Sequence, residues 1–162
     1  KPSRPWLYEM RSLGYNYRIT DFQCALGLSQ LKKLNKFVKR RKEIALIYDK
    51  AFSNFPSVKI PKVAAKMGHA YHIYPLRINF KKIGISKEIF FNRLKKSGIN
   101  LQVHYIPIHL QPYYKKKFNF KHGDFPVAEK FYDEEVSLPI FYGLKNSQIK
   151  FIISKIKKLI KR

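Results

Sequence analysis

Ala25, Leu28, Leu31, Leu34, Val38, Ala45, Tyr48 and Phe52 recur at spacings of three, four or seven, and no proline interrupts them until Pro56. That spacing lays one apolar stripe along a helix, with lysines and arginines opposite. The start is marked by Thr20-Asp21-Phe22-Gln23: a Thr hydroxyl accepts from an early backbone N–H while a Gln three residues on reaches back, which is a capping box. An unbroken helix over 20–53 would run about 50 Å, far longer than the globular average. Such length predicts a connector running from one domain into another, as a single helix or as a pair bent near Asn35.

After Pro56 the pattern changes. Tyr71 to Phe80 reads as a strand, with Pro75 arguing for an edge position or a break. Ser86 opens a helix carrying Ile89, Phe90 and Leu94, and Gly98 stops it. Ile99 to Tyr105 alternates as a strand and ends at Pro107, a short helix spans Pro126–Glu135, and Ser137-Leu138-Pro139 is extended. A last helix starts at Asn146 and repeats Ile149, Ile152, Ile156 and Leu159. Strands and helices alternating on this scale predict an α+β sandwich of about 100 residues.

With 162 residues the chain is long enough for one domain with a real core, or for part of a larger protein. Its 45% apolar and 15% aromatic content excludes a disordered chain. One cysteine, Cys24, excludes an internal disulfide framework, predicts a buried structural thiol, and fits a reducing, cytoplasmic compartment. No apolar run approaches the roughly 20 residues that span a bilayer, so no membrane partner is expected. The first residues lack both a secretory apolar segment and a methionine, which suggests a fragment. The net charge of +24 invites a nucleic-acid reading. Lysines far outnumber arginines and are spread along the chain, so clusters such as Lys39-Arg40-Arg41-Lys42 read as solvated faces, and no specific nucleic acid is expected.

Few residues present chemistry. The five histidines have no metal-ligand spacing, Asp133-Glu134-Glu135 reads as an exposed helix end, and no phosphate-binding glycine motif occurs. Two clusters remain: Gly14-Tyr15-Asn16-Tyr17-Arg18, and Gln102-Val103-His104-Tyr105 running on to His109. Each gathers polar donors among aromatics at the end of a regular element, where ligands are commonly held. Packing tyrosines and backbone caps would account for either cluster equally well.

Gly14 to Asp21, followed by Ala25-Leu26-Gly27-Leu28-Ser29-Gln30-Leu31, resembles the signature of the DegT/DnrJ/StrS-type sugar aminotransferases. Trp6-Leu7-Tyr8-Glu9, His104-Tyr105-Ile106-Pro107 with Gln111-Pro112-Tyr113-Tyr114, and Ser137-Leu138-Pro139-Ile140-Phe141 are similar to the branch serving pseudaminic acid synthesis. The resemblance implies a fold type I enzyme dependent on pyridoxal 5'-phosphate, of which this is the C-terminal portion. It further implies L-glutamate as amino donor, the C4 keto group of a UDP-linked 4-keto-6-deoxy-N-acetylhexosamine as acceptor, and a homodimer with shared active sites. The implied organisation is an interface loop over 1–19 belonging to a large domain, a connecting helix or helix pair over 20–55, and a small α+β domain over 56–162.

Carried over by residue, the resemblance places Asn16 near the cofactor phosphate and substrate of the neighbouring subunit, with Arg18 binding or bracing beside it. Gln102, Val103, His104 and Tyr105 match the stretch lining the nucleotide-sugar site. The family's Schiff-base lysine stands in a Ser-x-His-x-x-Lys pattern; no such pattern occurs here, so the expectation puts it upstream and assigns this chain no catalytic residue. A related aminotransferase making a perosamine-type sugar and a basic nucleic-acid-binding module are the alternatives.

Overall fold

The computed structural model describes residues 10–161, so the Trp6-Leu7-Tyr8-Glu9 part of the signature lies outside the described residues. The chain divides into two compact units, Lys1–Leu34 and Asn35–Arg162.

In the first unit a fully exposed segment over 10–20 leads into helix α1, Asp21–Leu31. Its capping box forms as the sequence predicts: the Thr20 backbone N–H donates to Gln23 Oε1 at 2.9 Å, and the Gln23 N–H donates to Thr20 Oγ1 at 3.3 Å. No residue of α1 is buried, and Cys24 is half-buried. Lys32 and Lys33 form a turn in which the Lys33 N–H bonds the Gln30 carbonyl at 3.0 Å. Helix α2, Leu34–Phe52, begins after it, so the interruption falls before Asn35.

The second unit is a three-stranded antiparallel sheet, order β1-β2-β3, built from Val58–Lys59, Tyr74–Ile78 and Glu135–Leu138. Between β2 and β3 lie α3 (Phe80–Ile83), α4 (Lys87–Lys96), a 3-10 turn (Ile108–Leu110), α5 (Pro112–Phe118) and α6 (Pro126–Glu134); α7 (Asn146–Ile160) closes the chain. Ser86 caps α4 by accepting the Ile89 N–H at 3.2 Å. Gly98, at φ +76°, makes the left-handed stop that other residues adopt at a cost. In α7, Ile149, Ile152, Ile156 and Ile160 are buried; Ile160 takes the last core position that Leu159 was expected to hold, and Leu159 packs partly against the core.

The strand pairing defines two faces. Tyr74↔Leu138 and Leu76↔Val136 share one face, apolar but for the Tyr74 hydroxyl that donates to Asp49 Oδ1, and packed with Tyr48 and Phe52 of α2, Phe90 and Leu94 of α4, and the isoleucines of α7. Pro75↔Ser137 and Arg77↔Glu135 share the other. Pro75 is not at the edge of the sheet, because β2 is the middle strand. Ser137 exchanges both backbone bonds with Gln102 and so turns its N–H and C=O away from β2. Its pairing with Pro75 is therefore of the non-hydrogen-bonded kind, and the missing proline N–H lies on the side that the two residues of β1 do not reach.

Two sequence expectations are corrected here. Residues 99–105 form a single bridge, Gln102↔Ser137, and not a strand, because the His104 backbone N–H is taken by the Glu135 carboxylate at 3.0 Å instead of a ladder carbonyl. Arg40 and Arg41 do not belong to a solvated basic face. Arg41 Nη1 donates to the carbonyls of Tyr71, His72 and Ile140, each at 2.9 Å. Arg40 Nη2 donates to the Leu144 carbonyl at 2.7 Å and to Asn146 Oδ1 at 2.8 Å.

Candidate functional site

In the first unit the Gly14–Arg18 cluster is exposed throughout. Tyr15 and Tyr17 stack on each other with ring centroids 5.2 Å apart, both rings more than four-fifths exposed. Among the described residues no side chain or backbone group partners Asn16 or Arg18. The amide and guanidinium are thus free donors just ahead of a capped helix, on a segment of the chain where an anion is favourably received.

In the second unit the polar face of the sheet collects the other cluster. Gln102 bridges Ser137 and so shares its face, and His104, two residues on, returns to that face and places Nδ1 2.8 Å from Ser137 Oγ. The Ser137 hydroxyl donates to Glu135 Oε1, and Glu135 Oε2 accepts the His104 N–H. Gln102, His104 and Ser137 line a pocket of about 200 Å³ together with His72 and Asn100. Arg41 ties two of that pocket's lining residues together, since its three carbonyl acceptors include those of His72 and Ile140. The structure does not bring all four expected residues together. Tyr105 is exposed and lines a separate apolar hollow with Phe125, Val127 and Phe131, and Val103, between Gln102 and His104 in the sequence, lines neither.

Glu135 and Ser137 were missed as functional candidates. Glu135 sits in β3, fully buried, where an exposed helix end was expected. The acidic run is misleading because its last member leaves α6 and enters the strand. A period-of-two reading from Glu135 through Val136 to Leu138 would have placed it opposite the apolar face. A second buried pair was also missed: His109 Nε2 lies 2.8 Å from Glu129 Oε1. Burial pushes the Glu129 carboxyl up, but hydrogen bonds from His109 and the Gly123 and Phe125 amides, with His122 nearby, hold it below its ordinary range. Among the described residues no group of three His, Cys, Asp or Glu is arranged to hold a metal ion. Burial pulls the Lys87 ammonium down against the opposing Glu135 and Asp133 carboxylates; it donates to the Tyr132 carbonyl and lies 4.6 Å from that ring's centroid. Lys87 is thereby committed to α6.

The chain belongs to the DegT/DnrJ/EryC1/StrS aminotransferase family, matched over residues 2–157, as the sequence signature implied. Among curated relatives it is 38% identical to the spore coat polysaccharide biosynthesis protein SpsC of Bacillus subtilis, over 96% of this chain and 40% of that protein. It is 37% identical to the UDP-4-amino-4,6-dideoxy-N-acetyl-β-L-altrosamine transaminase of Campylobacter jejuni, over 92% of this chain and 39% of that protein. Among solved structures, Helicobacter pylori PseC, an aminotransferase involved in the biosynthesis of pseudoaminic acid, superposes with a TM-score of 0.84. It is 34% identical, covering 98% of this chain and 42% of PseC. The PLP form of Spr1654 from Streptococcus pneumoniae gives a TM-score of 0.83 at 26% identity, over 96% of this chain and 39% of that one. The α+β architecture is therefore that of pyridoxal-phosphate aminotransferases. The chain spans about two fifths of the length of the relatives it matches.

Proposed function

We propose that the complete protein is a pyridoxal-phosphate-dependent sugar aminotransferase. It moves the amino group of L-glutamate to the C4 keto carbon of a UDP-linked 4-keto-6-deoxy-N-acetylhexosamine, in pseudaminic acid synthesis, as a cytoplasmic homodimer. In this reading residues 1–19 are an interface loop, 20–55 a connecting helical segment, and 56–162 the small domain. The names of the Campylobacter and Helicobacter relatives support the sugar. The observation that carries the reading in this chain is the pair of unpartnered donors, Asn16 and Arg18, on an exposed loop inside the family signature.

Those two residues fit the phosphate end of pyridoxal phosphate. The Asn16 amide NH₂ and the Arg18 guanidinium both offer N–H donors, and no hydrogen bond ties one to the other, which suits a phosphate's oxygens. The bound cofactor supplies the electron sink for amino-group transfer. This chain's own residues bind and orient. The Asn16 amide donates to a phosphate or sugar oxygen without adding charge, Arg18 adds a charged, planar donor, and Gln102 and His104 present polar groups to the nucleotide sugar from one sheet face. The basic balance of +24 suits a ligand set made of a nucleoside diphosphate and a phosphate monoester; no specific nucleic acid is part of this reading.

The test is transamination by the complete protein. With pyridoxal phosphate, L-glutamate and the UDP-4-keto sugar, 2-oxoglutarate and UDP-4-amino sugar are expected in equal amounts by mass spectrometry. Faster turnover of a perosamine-type 4-keto sugar would replace the sugar assignment. No 2-oxoglutarate with either acceptor would end the aminotransferase reading.

A further inference from the structure

We propose that Glu135 and Ser137 are positioning residues for His104, fixing its imidazole with the proton on Nδ1 so that Nε2 is an acceptor at the pocket. The proposal rests on reading residues 102–105 as the nucleotide-sugar side of the site.

The polarity of the chain of bonds is set from its buried end. Glu135 is fully buried, and donors meet both of its carboxylate oxygens. One donor is the His104 backbone N–H, which cannot reverse. The other is the Ser137 hydroxyl, whose single proton is thereby spent on Glu135. Ser137 Oγ then meets His104 Nδ1, 2.8 Å away, only as an acceptor. Nδ1 therefore carries the proton, and in a neutral ring Nε2 carries the lone pair. Nε2 has no partner among the described residues and is not a buried unsatisfied atom, so it is open to solvent. His104 packs edge-on against Tyr105, with ring centroids 4.6 Å apart, which further limits its rotation.

In the neutral ring, Nε2 as an acceptor selects ligand chemistry. It takes a hydroxyl or imide N–H, and it offers nothing to a phosphate oxygen, which also accepts. Sugar hydroxyls or a uracil N–H are the partners a nucleotide sugar would bring to it. His104 thus recognises the neutral part of the substrate, leaving the phosphates to other donors.

The relay can be reversed with one isosteric change. In Glu135→Gln the side-chain oxygen must face the His104 backbone N–H, because the amide group would meet that donor head-on. The amide N–H₂ then faces Ser137, whose hydroxyl becomes free to donate to Nδ1. The histidine proton should move to Nε2. Imidazole 15N NMR on the complete protein, at a pH where the ring is neutral, reads this directly: His104 is expected in the Nδ1–H form in the wild type and in the Nε2–H form in Glu135→Gln. An Nε2–H ring in the wild type, or no change in Glu135→Gln, overturns the relay. In the complete enzyme Ser137→Ala should raise the KM for the nucleotide sugar about tenfold, the weight of one hydrogen bond, and Ser137→Thr should restore it. A wild-type KM in Ser137→Ala also overturns the proposal. The tautomer is read without substrate, so an inert complete enzyme strikes the aminotransferase reading while the NMR result still decides the relay.

Discussion

Helices α1 and α2 both carry apolar residues at helical spacings, and those residues meet opposite fates. In α2, Ala45, Tyr48 and Phe52 are fully buried, Tyr48 donates to the Pro139 carbonyl at 2.8 Å, and its ring lies 5.0 Å from that of Tyr74. In α1, Phe22, Leu26, Leu28 and Leu31 are all more than half exposed. Periodicity reports that a face is built to be covered; it does not say by what. For α2 the cover is the sheet of its own unit. For α1 nothing among the described residues supplies it, and an apolar face of that size is a contact surface in waiting.

The sharpest way to break this contrast is to cut both stripes equally. Phe52→Ala should destabilise the chain by about 3–5 kcal/mol through lost burial and a residual cavity. Leu28→Ala should stay within about 0.5 kcal/mol, as exposed substitutions do. Urea unfolding of the two variants measures both, and comparable losses would mean that α1 is covered in the chain itself.

The arginines offer a second, smaller contrast. Arg41 bonds three carbonyls and Arg18 none. Arg41→Ala should cost about 1.5–3 kcal/mol, the range for a charged hydrogen bond, whereas Arg18→Ala should leave the unfolding midpoint unmoved. A midpoint shift in Arg18→Ala would show a bracing role for that residue.

Much of this contrast could be read from local sequence, and the parts that could not share a cause. Thr20 with Gln23, Ser86, Gly98 and the isoleucines of α7 each declare an element because the cap, the stop or the spacing that announces it lies within four residues. Arg41 and Glu135 were misread because their partners are distant: the Ile140 carbonyl for one, the His104 N–H for the other. A charged residue in a charged run looks solvated until the fold brings a backbone group to it. The family signature succeeded for the opposite reason, being a contiguous pattern of residue types. Its candidate pair Gln102 and His104 converged on one pocket, while Tyr105, adjacent in sequence, lines another.

The smallest expected effect separates the two units by pH. A carboxyl held below its unfolded value contributes stability above the unfolded pKa of about 4.3, and that contribution is lost as pH falls through the folded value. Glu129, in the second unit, is such a group. The thermal midpoint should therefore fall on acidification below about pH 4.3, and less steeply in Glu129→Gln. Equal slopes would remove Glu129 from the account.

The central proposal is that Asn16, ahead of α1, serves an active site completed by another subunit. The measurement is complementation in the complete enzyme, between Asn16→Ala and a variant lacking the Schiff-base lysine. Each homodimer should be nearly inactive. In a verified heterodimer one site collects both defects, while the other combines the intact lysine of one chain with the intact Asn16 of its partner. Counting sites, activity should return to about half that of a wild-type dimer, each lost anion contact being worth tenfold or more in affinity. A heterodimer as inactive as its parents would contradict the claim, placing Asn16 in the active site of its own subunit.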